Sequence, residues 1–329
     1  MEKQYAGLLS LSFWKAYGVT MRPYLLFVSG VAGMAGFAEG PQTGIGVTLG
    51  IFFVFFLSYG FGQALTDCFQ IDTDSISSPY RPLVRGIIGR GQVLLVSLIG
   101  LMAGCLILFL LNPWTLALGL LGVVGLATYT FFKRKWWGGP FYDAWIVALL
   151  PIMGKMVAVG PSKSISIILE NSILVPITIS VFFSYANFVL MGYFKDISAD
   201  RASRYNTFVV VYGWNKAAKG SDFFAALSVI ATGWGISRVL FKEEPFSLSW
   251  CCIPVFFAAL VVLILAQVGI HRIRDEKEAY GPIANVVRGF ILLHLAEICL
   301  LKPAWIPLVA LFYIAFELVL KMRPEKGQV

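Results

Sequence analysis

Residues 44–74 read GIGVTLGIFFVFFLSYGFGQALTDCFQIDTD: an uncharged run from Gly44 to Thr66, then three aspartates, Asp67, Asp72 and Asp74. A helix needs about 20 apolar residues to cross a bilayer, so the run reads as a membrane span with an acidic end. Comparable runs stretch over Val93 to Leu111, Ile253 to Leu265 and Ile306 to Leu320. The chain is 58% hydrophobic and 13% charged, with a mean hydropathy of +0.78. A soluble domain carries about a quarter charged residues, so this one has too few to coat a water-facing surface. The expected class is an all-α membrane protein.

Working outward, the hydropathy places spans near residues 17–37, 43–66, 91–111, 114–132, 141–160, 171–194, 222–241, 249–270, 283–301 and 304–321. Pro303 divides the last stretch into two spans, or into one span and an interfacial helix; the total is nine or ten. Residues 1–18 lack the charged head, apolar centre and cleavage site of a signal peptide and read as an interfacial lead-in. The loop after the second span holds Arg81, Arg85 and Arg90. The loop after the fourth holds Lys133, Arg134 and Lys135, and that after the sixth holds Lys195, Arg201, Arg204, Lys216 and Lys219. The loops after the first and third hold no Lys or Arg. This alternation puts the N-terminus and the even-numbered loops in the cytosol; the tail residues Lys321, Arg323 and Lys326 favour an even count. The net charge of +8 is thereby explained as topology, not as a nucleic-acid surface. Five cysteines without C-x-x-C spacing and only two histidines, His271 and His294, argue against disulfides, structural zinc and a histidine-based metal site. One domain is expected over residues 1–329.

Two acidic motifs fall on one side of the membrane. The first, residues 63–86, contains Gln63, Asp67, Gln70 and Asp74 at i, i+4, i+7 and i+11, one helical face; Asp72 falls about 140° from Asp67 unless the helix breaks. The second, residues 193–207, contains Asp196 and Asp200 at i and i+4. Like charges on one face repel, and carboxylates at a membrane boundary are costly without a partner. Pairing with neighbouring Lys and Arg would relieve that. So would Mg²⁺, which takes oxygen ligands and is commonly shared between carboxylates and substrate phosphates. Arg81 and Arg85 follow the first motif, Arg201 and Arg204 the second, all suited to phosphate.

In these residues the chain resembles the UbiA superfamily of intramembrane prenyltransferases. That family has an N-x-x-x-D-x-x-x-D type motif after its second helix and D-x-x-x-D after its sixth. Asp196-x-x-x-Asp200 matches the latter, as do Arg201, Arg204-Tyr205-Asn206-Thr207 and Tyr212-Gly213-Trp214-Asn215-Lys216-Ala217 after it. Ser78-Pro79-Tyr80-Arg81-Pro82, and Tyr129 with Lys133–Lys135, fit the same layout. Motif one departs: Gln63 stands for the usual Asn, and Ile71, not an acid, lies four residues after Asp67. Counted back from Pro79, Asp74 takes the last acid's place and Gln70 the middle one's.

The resemblance implies a bundle of nine or ten helices with a central lipid-open cavity, and Mg²⁺ holding a prenyl diphosphate between the motifs. It implies Asp67, Asp74, Asp196 and Asp200 as metal ligands, with Asp72 as a third candidate from motif one. Gln63, Arg81, Arg85, Lys133, Arg134, Lys195 and Arg201 are then candidates for the substrate head. Tyr129, Tyr193 and Tyr185 would pack the tail or shield a cation. Asn187, two turns from Asp196, would line the pocket or bridge helices. Asp143, opening the fifth span, would complement a helix dipole or act as a base on the acceptor. Lys155 inside that span should meet a cavity or an acid, whereas Arg288, His294 and Glu297 read as helix–helix contacts.

The implied reaction is prenyl transfer to an aromatic or other lipophilic acceptor. A terpene cyclase of the same superfamily is the alternative that the altered motif one favours. An ion-coupled transporter would instead place its acids near the bilayer midplane, and here they gather at helix ends.

Overall fold

The structure is a computed structural model describing residues 5–161 and 173–323; Lys326, and residues 171–172 of the expected sixth span, lie outside them. The described residues form helices α1 (Leu11–Thr20), α2 (Leu26–Ala38), α3 (Ile45–Asp67), α4 (Ile71–Ser77), α5 (Arg90–Leu111), α6 (Thr115–Lys135) and α7 (Gly139–Val159). They continue with α8 (Leu174–Gly192), α9 (Ile197–Ala202), α10 (Phe208–Leu240), α11 (Cys252–Arg272), α12 (Tyr280–Leu301) and α13 (Ile306–Lys321). Among them, nine helical segments are long and apolar enough to cross a membrane, and Pro23–Ala38 is a shorter apolar tenth. The protein is an all-helical, multi-pass membrane protein.

Three departures from the hydropathy reading have local causes. The first span does not run through residues 17–37. It breaks after α1, because Arg22 adopts a left-handed backbone (φ 52°) and Pro23 opens a short 3₁₀ turn leading into α2. The seventh span begins at Phe208, not at 222. Gly213, at φ 78° and ψ 168°, is non-helical and breaks α10 into two pieces, residues 208–212 and 214–240, so Lys216 and Lys219 sit on the second piece and not in a loop. At Pro303, the open alternative resolves into two helices, α12 and α13, joined by a 3₁₀ turn.

Helices α2, α8 and α12 form the centre: α2 packs on α3, α7 and α12, and α8 on α7, α10 and α12. The α2–α7 crossing depends on small residues. A Cβ on Gly36 would land on the Pro151 carbonyl, and one on Gly154 on the Gly33 carbonyl. Without a hydrophobic drive between helices in lipid, such close backbone approach is a main source of packing energy. Polar residues inside the bundle are paired across helices. Lys155 meets Glu39 at 3.6 Å, and Arg288 donates to Glu317 at 2.7 Å. His294 Nδ1 pairs with Glu297 within α12 at 2.8 Å, and the two reach across to Ser184 of α8 (3.2 Å) and Thr232 of α10 (3.3 Å).

Candidate active site

Helix α3 ends at Asp67, and the chain turns into the short α4 carrying Asp72 and Asp74. Helix α8 ends in a 3₁₀ turn, Tyr193–Lys195, and then the short α9 carries Asp200, with Asp196 as its N-cap residue. The fold brings α4 and α9 into contact, so both acidic motifs stand at the same end of the bundle. Between them lies a polar pocket of about 110 Å³, lined among others by Arg22, Gln63, Gln70, Asp74, Arg81, Lys133, Lys195 and Asp196. Below it opens an apolar cavity of about 370 Å³ between α3, α5, α6 and α7. Tyr59, Gln63, Thr66, Asp143 and Tyr185 line both spaces. A charged space and an apolar one therefore adjoin across these five side chains.

The acids are not equivalent. Asp74 and Asp196 open directly onto the polar pocket. Asp67 is held behind it, accepting from Arg22 Nη2 at 3.0 Å and Gln63 Nε2 at 2.7 Å, with Arg81 at 3.6 Å. Arg81 also pairs with Asp74. Asp200 is fully buried behind Lys133, whose Nζ lies 3.7 Å from Oδ1. Lys133 further donates to Gln70 Oε1 at 3.2 Å and lies against the Tyr193 and Tyr205 rings. Burial pushes the Asp74 carboxyl up to about 6 against the pull of Arg81. Burial likewise raises Asp200 to about 6 against the pull of Lys133.

Among the described residues no group of three or more acidic, His or Cys side chains could by itself hold a metal ion. The expected set of five ligands is thus divided by interposed arginines and a lysine, which neutralise carboxylates that would otherwise repel. Asp72 leaves the set: it faces outward to Arg134 (2.6 Å) and the Tyr205 hydroxyl (3.3 Å), half-exposed at the rim. The residues still fit a shared Mg²⁺. Such an ion needs only one or two carboxylates when substrate phosphates complete its shell. Asp74 and Asp196 face one pocket, and both Asp200 oxygens are buried without a hydrogen-bond partner.

Other sequence-level candidates divide similarly. Gln63, Arg81, Tyr129, Lys133, Tyr193 and Lys195 line the pocket, and the Tyr129 and Tyr193 hydroxyls are 2.9 Å apart. Arg85 and Arg201 are exposed and line neither space. Arg134 is engaged with Asp72, and Asn187 accepts from Ser221 at 2.5 Å, bridging α8 and α10 instead of lining the pocket. Asp143 sits at the junction of the two spaces beside the Tyr185 hydroxyl. Sequence reasoning missed Arg22, Tyr59 and Thr73. Tyr59 was within reach, one turn before Gln63 on the same face; Arg22 was marked only by its place before Pro23.

Residues 26–286 match the model of the UbiA prenyltransferase family. The chain is 27% identical over 225 residues to a digeranylgeranylglyceryl phosphate synthase from Thermococcus kodakarensis, covering 67% of this chain and 76% of that one. The structure superposes on an apo UbiA homolog from Aeropyrum pernix with a TM-score of 0.64 at 18% identity, covering 80% of this chain and 94% of the other. A UbiA homolog from Archaeoglobus fulgidus bound to GPP and Mg²⁺ gives a TM-score of 0.61 at 17% identity, covering 86% and 99%.

Proposed function

The chain belongs to the UbiA prenyltransferase family, and from that premise we propose that it moves a prenyl group from an allylic diphosphate to a lipophilic acceptor, with Mg²⁺, on the cytosolic side of the membrane. The observation that carries this is that the polar pocket adjoins the apolar cavity at Tyr59, Gln63, Thr66, Asp143 and Tyr185, which line both. A diphosphate head and an isoprenoid tail need those two environments in that order. The distance from Gln63 to Gly50 along α3, both lining the cavity, is about 20 Å at helical rise, enough for about four extended isoprene units. The Archaeoglobus homolog is bound to GPP and Mg²⁺, a prenyl diphosphate and a metal of the kind proposed for this chain.

Arg22, Arg81, Lys133 and Lys195 converge on the head pocket and stabilise negative charge as it grows on the departing diphosphate. Mg²⁺, when bound through Asp74, Asp196 and the acids behind them, adds Lewis-acid polarisation of the same oxygens. The Tyr129, Tyr185 and Tyr193 rings flank the junction where the allylic carbon becomes cationic, and their faces attract positive charge. Asp143, at that junction, is placed to take the acceptor's proton. For the acceptor, the Thermococcus relative's name favours a prenylated glyceryl phosphate over a phenol.

The test is purified protein with Mg²⁺, allylic diphosphates of several lengths, and either a geranylgeranylated glyceryl phosphate or phenolic acceptors, with products read by mass spectrometry. A prenylated acceptor, and pyrophosphate release that requires the acceptor, are expected. Cyclised hydrocarbon formed without acceptor would replace this reading by a terpene cyclase.

A further inference from the structure

We propose that Glu276 is a positioning residue that frees Asp196 for the active site by capping the motif-two helix in its stead; this rests on the prenyl-transfer reading above. Asp196 is the N-cap residue of α9, the position from which an aspartate normally accepts a hydrogen bond from the N–H of N2 or N3. Here it makes no such bond. The N2 donor is Ser198, and its N–H goes to Glu276, at 3.0 Å from Oε1 and 3.2 Å from Oε2. The Ser198 hydroxyl also donates to Glu276 Oε2 at 2.8 Å. A carboxylate from 78 residues away has taken over the capping role, and the Asp196 side chain lines the polar pocket with Asp74.

Glu276 is itself firmly placed. It starts a 3₁₀ turn, Glu276–Glu278, capped by the Asp275 side chain through Lys277 N at 2.9 Å. That turn leads through the fully buried Ala279 into α12, a helix packed on its neighbours over most of its length. The cap is thus anchored to a rigid central element, and its negative charge complements the helix N-terminus. Without Glu276, the Ser198 N–H loses its partner. Asp196, as the N-cap residue, is then the side chain in the ordinary position to accept from it, and turning to do so withdraws it from the pocket.

The experiment measures Mn²⁺ binding by electron paramagnetic resonance on the full chain in nanodiscs, with pyrophosphate present. Glu276→Ala should weaken Mn²⁺ binding about tenfold, in the range for partners that orient metal ligands, while Glu276→Gln, which keeps one acceptor oxygen, should change it little. In an Asp196→Asn background, Glu276→Ala should add no further loss, since the two act through one carboxylate. Unchanged binding in Glu276→Ala, or an equal loss in the Asp196→Asn background, would overturn the proposal. If Glu276→Ala does not fold, Glu276→Asp, whose shorter side chain stops short of Ser198, carries the same comparison. Failure of the functional reading shows up separately: wild type and Asp196→Asn would then bind Mn²⁺ and pyrophosphate alike, and both inferences would fall.

Discussion

Lys133 Nζ stands 3.7 Å from Asp200 Oδ1 and 3.2 Å from Gln70 Oε1, so a single buried ammonium links the second acidic motif to the first. Helix α6 delivers it from its last turn. In this arrangement Lys133 both neutralises Asp200 and faces the space assigned to the diphosphate. Four consequences of the site's geometry can be measured.

Lys133→Met leaves Asp200 buried without its counter-charge. Breaking such a pair from one side costs about 3–5 kcal/mol, so unfolding of the detergent-solubilised protein should shift by that order. Lys133→Met combined with Asp200→Asn should recover most of the stability and none of the activity. Recovery of turnover in the double variant would remove both residues from the mechanism.

The raised acids set a pH window. Asp74 and Asp200, held near 6 by burial, take up protons as pH falls through 6, and protons compete with Mg²⁺ for the carboxylates. The Mg²⁺ concentration for half-maximal rate should therefore climb below pH 6, by about tenfold per pH unit for each proton displaced. The stability effect has the opposite sense. An acid whose folded value exceeds its free value is less strained when protonated, so the metal-free protein gains stability as pH falls from 6 toward 4. Thermal unfolding with a chelator present checks the second trend, and steady-state kinetics across Mg²⁺ concentrations the first.

Gly122 faces the apolar cavity, where an added Cβ would still lie 3.9 Å from Ile146 and Leu149. Gly122→Ala should be tolerated, whereas Gly122→Leu fills volume that a long tail needs. The ratio of kcat/KM for a four-isoprene donor over a two-isoprene donor should fall by about 10- to 200-fold, the range for steric discrimination in an apolar pocket. An unchanged ratio would mean that the tail lies elsewhere.

Asp143→Asn keeps size and hydrogen bonding at the junction but removes the carboxylate proposed as the base. Transfer should slow by about 10²–10⁴-fold, with donor affinity preserved. A normal kcat would assign Asp143 to structure alone.

Much of this was legible in the one-dimensional chain. Apolar runs longer than a bilayer named the class. The spacing of Asp196 and Asp200, and of Gln63 to Asp74, marked the two motifs, but not the single helical faces it predicted: α3 ends at Asp67 and α4 restarts at Ile71, and Asp196 stands outside α9 as its N-cap residue. The reading failed where a backbone left the helix without a hydropathy signal: at Arg22, where a left-handed residue precedes Pro23, and at Gly213, whose non-helical backbone splits α10 into two pieces. Asp72 misled for a related reason. Counted along the chain it belongs to motif one, yet α4 restarts at Ile71 and turns it outward to Arg134.

Composition, span length and motif spacing by themselves determined that this is a multi-pass membrane bundle with two acidic helix ends, since each depends only on residues near one another in sequence. The tertiary structure decided which acids face the pocket and which are locked by cations. Those outcomes hang on partners far apart in the chain: Arg22 with Asp67, Lys133 with Asp200, Glu276 with Ser198. Charges and hydrogen bonds act over a few ångströms, and no periodicity records which distant side chain will arrive within that reach.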